Sequence, residues 1–430
     1  MFVLLKLNLQ ANGIYRDGVG ARSMAMGGTE TGSAADALGA MAANPAGLGF
    51  LTDTEFQLGI AGAVTEGNFN KASISNGNLN DSPNALPEAA LAVPLGKTPF
   101  TVGLSFIPDS ALLANWTYVD PPGGLGGTTS YGLQTHKSEI ILLRSAVGIG
   151  VQLGSKLAVG ANVGLVYNEN TMQSPYTFQN LQPNPNSLNG AKTLLDLHTS
   201  GFGVNAEVGL LFRPLANLQF GLAYKSPTTV NSTGDATGDP YAQFDTSPGQ
   251  LAFHYDAAVK TKFPQTASIG MNWQFHPRWQ LALQMDWINW SSAFDNLPVS
   301  LKNGSNPGVN AALGSSFKDT IPLNWSDEFV YRAGVEFAVT DNLFLRGGYA
   351  YGQNPVPDDT LTPLTAAILE HTVTAGIGYR YGRYQFDLAY QYELPASRHV
   401  GTSGLLAGEY SNSTTDVSVH VFALTTRVSF

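Results

Sequence analysis

Arg332, Arg346 and Arg380 are the side chains with the most evident chemistry in this sequence. Each lies in a segment where apolar and polar residues alternate, and a period of two sends all three to one face of successive strands. Three guanidinium groups on one face could hold a carboxylate by charge-assisted hydrogen bonds in an otherwise apolar site. Glu336 and Asp387 fall on that same face, so the arginines could instead serve an internal charge network. Covalent and hydrolytic chemistry finds no footing. There is no G-x-S-x-G, H-E-x-x-H or G-x-x-x-x-G-K-[ST] pattern. The seven histidines, from His136 to His420, are scattered, and Glu370-His371 only begins a strand. Cysteine is absent, which removes thiol catalysis, disulfides and Cys-ligated metal sites. No enzymatic activity, cofactor or metal site is expected.

The elements that must carry these residues are strands. The chain has 430 residues and a formal charge of −10, which argues against a nucleic-acid partner. Charged residues are 13%, about half the usual share of a soluble globular protein, while Gly (47 residues) and aromatics (10%) are abundant. No run of 18 apolar residues is present, so transmembrane helices are excluded. That composition fits a soluble all-β protein or an outer-membrane β-barrel. Alternation identifies the strands, and the spacing between them separates the two. Phe202, Val204, Ala206, Val208, Leu210 and Phe212 alternate with Gly203, Asn205, Glu207 and Gly209. Trp279 to Trp287, Phe329 to Phe337 and Tyr384 to Tyr392 repeat the pattern, with aromatics near the ends, as at a membrane interface.

The spacing predicts strands at 55–64, 87–95, 99–108, 138–153, 156–168, 199–213, 217–226, 251–276, 279–290, 325–339, 342–351, 370–381, 384–393 and 416–430. Short turns alternate with long loops at 65–86, 109–137, 169–198, 227–250, 291–324, 352–369 and 394–415. An even strand count with short turns on one side and long loops on the other is the pattern of a bacterial outer-membrane barrel, whereas a sandwich or propeller has less regular loops. Pro264 marks a bulge or break in the eighth strand. Phe430 closes an alternating last strand, similar to the terminal signal read by outer-membrane assembly machinery.

Residues 1–11 read as a remnant of a signal peptide, and residues 55–430 as the barrel. Residues 12–54 do not alternate; their Gly, Ala, Met and turn formers suggest a compact, partly helical plug. Asp36 to Ala43 could form a short helix stopped by Asn44-Pro45. Because the first strand starts on the short-turn side, the plug belongs at the periplasmic mouth or in the lumen.

Asn12-Gly13-Ile14-Tyr15, the Gly20-Ala21-Arg22 to Met26-Gly27-Gly28 block and Asn44-Pro45-Ala46-Gly47 resemble the N-terminal hatch of FadL/TodX-type outer-membrane transporters. Trp290-Ser291-Ser292 with Phe294, Tyr224-Lys225-Ser226-Pro227 and Lys262-Phe263-Pro264 are similar to other motifs of that family. The resemblance covers nearly the whole chain. It implies an all-β, fourteen-stranded antiparallel barrel in the bacterial outer membrane, plugged by the hatch. It also implies passive uptake of hydrophobic molecules such as long-chain fatty acids or aromatic hydrocarbons.

In that family a groove in the extracellular loops collects cargo, and cargo leaves sideways where the third strand kinks. Here Gly103, Ser105 and Pro108 would mark the lateral opening, although an unbroken strand with a routine glycine is also compatible. Leu112, Leu113 and Trp116, in the expected loop 109–137, are the candidate groove residues, or a loop packed on itself. Arg332, Arg346 and Arg380 are the candidate carboxylate ligands; an uncharged hydrocarbon would need none. The expected partners are the hydrophobic cargo, outer-membrane lipid and lipopolysaccharide, with no nucleic acid and a monomeric barrel. A general porin, or a FadL-like barrel recruited as a secretion or surface-assembly scaffold, are the alternative readings.

Overall fold

The sheet closes on itself. Strand β1 (Glu55–Lys71) pairs with β14 (Ser413–Ser429) along its whole length, from Glu55 opposite Ser429 to Lys71 opposite Ser413. This computed structural model describes residues 13–71, 74–80, 84–183 and 188–430. The expected signal remnant 1–11, and Asn12, lie outside the described residues. Around the ring follow β2 (Asn84–Pro94), β3 (Phe100–Val119), β4 (Leu133–Leu153), β5 (Leu157–Thr177) and β6 (Lys192–Leu215). Four barrel strands come in two pieces each: β7 (Leu218–Lys225 and Thr228–Asp239), β8 (Phe253–Phe263 and Thr266–His276), β9 (Trp279–Ile288 and Asn296–Lys302) and β10 (Phe317–Pro322 and Glu328–Ala338). The ring ends with β11 (Leu343–Gly352), β12 (His371–Tyr381), β13 (Tyr384–Val400) and β14. With the short strand Ser75–Leu79 beside β1, the nineteen segments fill fourteen barrel positions.

Pro264 sits in the gap of β8, as a residue without an amide proton must. Both pieces of β8 keep their places, the outer one against the outer piece of β7 and the inner one against the inner piece. The count therefore stays even.

The burial pattern is inverted relative to a water-soluble protein. Phe202, Val204 and Val208 face outward at 66%, 62% and 52% exposure, while Asn205 and Glu207 point into the lumen at 3% each. This is the lipid-out, polar-in alternation of an outer-membrane barrel. Several strands run well beyond the expected limits, into segments read from sequence as loops: β1 to Lys71, β3 to Val119, β5 to Thr177 and β13 to Val400. The reason is visible in the outer piece of β7, Thr-Thr-Val-Asn-Ser-Thr-Gly-Asp-Ala-Thr-Gly-Asp. Above the membrane the outer face of the sheet meets water instead of lipid, so the ladder continues after the apolar–polar alternation has stopped.

Residues 13–50 occupy the lumen and are almost entirely buried. They form α1 (Ala21–Ala25), α2 (Ala37–Ala42) and a 3₁₀ turn (Pro45–Phe50). Asp36 caps α2 by accepting from the Gly39 amide at 2.9 Å, and the helix stops before Asn44-Pro45. Elements of five or six residues leave most of their backbone groups unpaired, and a buried backbone cannot tolerate that. The wall supplies the partners. Gln57 accepts from the Leu38 amide (2.6 Å), Gln284 from Glu30 and Thr31 (2.8 Å each), and Thr425 from Ala21 (2.9 Å). Gln219 donates to the carbonyls of Gly32 (2.7 Å) and Ser33 (3.0 Å).

Such bonds require the plug backbone to lie directly against the wall. Wall glycines make the room: a Cβ on Gly160 would collide with the Pro45 carbonyl, one on Gly221 with the Thr31 carbonyl, and one on Gly348 with the backbone at Met26-Gly27. Gly348→Val should therefore loosen the plug by an overpacking cost of about 1–3 kcal/mol without unfolding the barrel. Planar-bilayer recordings should show raised ion conductance from protein that still has heat-modifiable gel mobility; unchanged conductance would mean the glycine belt does not seat the plug.

Candidate functional site

The site begins where the wall is incomplete. The β2–β3 ladder runs from Pro94 opposite Thr101 up to Ala89 opposite Phe106 and stops. Continuing that register two residues outward would set Pro87 against Pro108, and neither proline has an amide proton to donate. Among the described residues, positions 107–114 of β3 have no ladder partner on β2. On its other edge β3 has a bulge, with Asp109 left over between Pro108 and Ser110.

The bulge is held inward by the plug and by the opposite wall. Ser110 Oγ donates to the Ile14 carbonyl at 2.6 Å, and Tyr15 makes an isolated antiparallel bridge with Ser110. Arg16 donates to the Pro108 carbonyl at 3.2 Å while pairing with Glu88 at 2.9 Å. Lys225 reaches Asp109 from β7 at 2.5 Å.

Directly outward of the bulge lies an apolar cavity of about 120 Å³, bounded by Leu112, Ile140, Met172, Phe294, Leu323, Trp325 and Leu364. A second hollow of about 70 Å³ shares Ile140, Met172, Tyr176, Leu297 and Ile321 with it. Among the described residues, the ionisable chains other than tyrosine on these walls are the acids Glu409, Glu139 and Asp319. Nearer the surface, Phe178, Leu188, Phe244, Leu251, Phe253 and Leu313 line a third apolar hollow. On the periplasmic side of the bulge the character reverses. A chamber of about 140 Å³ between plug and wall is lined by Asp109, Glu207, Lys225, Glu30, Asp286 and Arg332.

A buried ion cluster closes the cavity from above. The Lys192 side chain, fully shielded, donates to Asp120 (2.7 Å), Glu409 (2.9 Å) and the Pro121 carbonyl (2.7 Å), and Thr177 donates to the other Glu409 oxygen. It thereby joins the β3–β4 loop, β6, β5 and the β13–β14 loop. Burial pushes the Asp120 carboxyl up to about 6, with the Lys192 charge pulling the other way.

The residues singled out from sequence are distributed as follows. Asn44 is fully buried; its side chain accepts from the Ala46 amide at 3.1 Å and reaches the carbonyls of Thr31 (2.8 Å), Leu210 (3.2 Å) and Leu222 (3.3 Å). Pro45, Ala46 and Gly47 form the 3₁₀ turn that this cap starts. Gly103 faces the plug at Met41 and Leu48, below the gap, while Ser105 and Pro108 lie at its lower margin. Leu112, Leu113 and Trp116 require a correction: they lie in β3 and are buried, because the strand extends to Val119. Leu112 lines the cavity, and Trp116 donates to the Pro363 carbonyl at 3.0 Å.

Arg332 and Arg346 are committed to carboxylates. Arg332 donates to Asp286 (2.7 Å) and pairs with Asp17 of the plug, and Arg346 pairs with Glu336 and Asp387 at 2.6 Å each. Arg380 stands apart, exposed at the periplasmic end over the Phe344 ring. Sequence reasoning missed Lys192 and its acids, and most of the cavity wall. Trp290-Ser291-Ser292 was a further nearby signal besides Leu112 and Pro108: Trp290 packs on Tyr15 and Trp325 and donates to Glu328 at 3.0 Å.

Residues 3–430 match the family described as Outer membrane protein transport protein (OMPP1/FadL/TodX). The chain belongs to this family. Its members are outer-membrane transporters of hydrophobic compounds. Among solved structures it is similar to the toluene transporter TodX of Pseudomonas putida, with 21% identity over 98% of this chain and 100% of that one and a TM-score of 0.76. A FadL homologue of Pseudomonas aeruginosa gives 16% identity over 97% and 100%, with a TM-score of 0.75. At these identities the likeness establishes the fold. Alkane uptake protein A of Marinobacter nauticus is 24% identical over 235 residues, 51% of this chain and 49% of that protein. The matched part thus spans about half the length of that curated relative.

Replacing Lys192 by Met should leave two carboxylates buried without their cation, at a cost of about 3–5 kcal/mol to the packing of the loops. Limited proteolysis should then cut the β3–β4 and β13–β14 loops several times faster while the barrel stays heat-modifiable; equal rates would show that the cluster does not hold the loops together.

Proposed function

We propose that this protein is a passive channel for small, uncharged hydrocarbons, which collect in the apolar cavity under the Lys192 cluster and leave sideways through the gap between β2 and β3. The observation that carries this reading is the position of Leu112: it lines the cavity and stands three residues from Asp109, the residue left over at the bulge. Cargo in the cavity is therefore already beside the stretch of β3 that lacks a ladder with β2.

Two energetic comparisons support the details. A cavity of about 120 Å³ is near the size of the roughly 150 Å³ apolar cavity that admits benzene. Burying an ionised carboxylate without a cation costs many kcal/mol. Here the cavity offers acids only, and Arg332 and Arg346 are already paired elsewhere. That favours neutral cargo over fatty acids. The polar chamber beyond the bulge offers an apolar solute no gain over water, so the route straight down past the plug is unfavourable. The similar toluene transporter and alkane uptake protein are named for neutral hydrocarbons as well.

Uptake into expressing cells tests the reading. A neutral monoaromatic should enter faster than into cells with an empty membrane, and Leu112→Trp, which fills the cavity, should slow it severalfold at equal barrel abundance. Preferential uptake of a long-chain fatty acid would overturn the neutral-cargo reading. Cysteines at Pro87 and Pro108, unique in a chain without native cysteine, can be joined by a short bifunctional thiol reagent. Cross-linking should block uptake, and undiminished uptake would contradict the sideways route.

A further inference from the structure

Charge is distributed unevenly between the two ends of the barrel. The periplasmic turns and adjoining strand ends carry Lys97, Lys156, Arg213, Arg278, Arg380 and Arg383 against Asp53 and Asp341. Six cations and two carboxylates give +4 over side chains, in a chain whose formal total is −10, so the remainder carries −14. Four of the six periplasmic turns contain a cation, and Arg213 and Arg380 add two more at the adjoining strand ends.

These cations are also unspent. Among the described residues none of the six forms an ion pair, whereas Arg16, Arg22, Lys192, Lys225, Arg332 and Arg346, inside the barrel, each do. Two of the six turn toward the mouth: Arg213 covers the Phe50 ring of the plug and Arg380 the Phe344 ring. The other four, Lys97, Lys156, Arg278 and Arg383, are exposed in the turns themselves.

The height of Arg278 and Arg383 relative to the membrane is fixed by neighbouring aromatics, and Lys97 and Lys156 sit in turns at the same end of the barrel. Trp279 follows Arg278 and Tyr384 follows Arg383, and both rings are exposed on the outer wall, as are Trp273, Tyr379 and Phe100 close by. Trp and Tyr mark the boundary between hydrocarbon and headgroups. A cation one to three residues beyond such a ring, on a turn too short to carry it into bulk water, lies in the headgroup layer, where long basic side chains snorkel to phosphate.

We infer that the four turn cations form a binding collar for anionic phospholipid headgroups of the periplasmic leaflet. The arrangement fits lipid better than an acidic protein, because lipid surrounds the barrel on all sides as the cations do, while a protein would dock on one face. A negative lipid surface favours each nearby Lys or Arg by on the order of fivefold.

The test is native mass spectrometry of the full chain released from micelles holding equimolar phosphatidylglycerol and phosphatidylcholine with identical acyl chains. The protein should retain phosphatidylglycerol at least fivefold over phosphatidylcholine. The variant K97Q/K156Q/R278Q/R383Q, checked for heat-modifiable mobility, should retain the two equally. A control removing three exposed extracellular cations, K260Q/K302Q/K318Q, should keep the preference. Equal retention by the unaltered protein, a preference that survives in the rim variant, or one that disappears in the control would each overturn the collar.

Discussion

A segment of some forty residues is held inside the lumen without being able to satisfy its own backbone. Its helices are too short, so every unpaired amide and carbonyl must find a group on the wall. That requirement explains why wall positions facing the plug alternate between two residue types. Gln57, Gln219, Gln284, Thr374 and Thr425 reach in to bond the plug backbone, and glycines between them let that backbone come close enough. Asn44 performs the reverse operation, sending its amide out to wall carbonyls on two strands. With the plug so fixed, the lumen is divided into a polar lower part and an apolar upper part.

The gap in the wall depends on the same attachment. Two prolines in register remove the donors that would continue the β2–β3 ladder, and the bulge at Asp109 turns the strand inward. An inward bulge in a barrel wall would lose its backbone partners unless something replaced them. Ile14, Tyr15 and Arg16 of the plug do so, with Lys225 neutralising Asp109. Plug, kink and cavity are thus one assembly, with the Lys192 cluster as its roof.

Much of this was legible in the sequence because a membrane imposes a strict period of two. Where lipid lies on one side and polar lumen on the other, as in Phe202 to Phe212, the strand and its facing residues could be read directly. Above the membrane that asymmetry ends. The outer halves of β3 and β7 were therefore read as loops, and Leu112, Leu113 and Trp116 were assigned to a surface groove although they are buried in a strand. Pro108 was readable as a ladder break, but its partner Pro87 became informative only with the register. The cavity was not legible, since Leu112, Ile140, Met172, Phe294, Leu323 and Leu364 come from six separated segments with no local pattern in common. The arginines illustrate the same limit: alternation gave their face, and only the structure gave their partners.

The most direct test of the account is a crystal structure of the protein soaked with iodobenzene, with iodine located by anomalous scattering. Iodine should appear in the cavity beside Leu112, Ile140 and Trp325, and at the open edge of β3 near Pro108. Iodine confined to the polar chamber beside Lys225 and Glu207, or absent from the interior altogether, would contradict it.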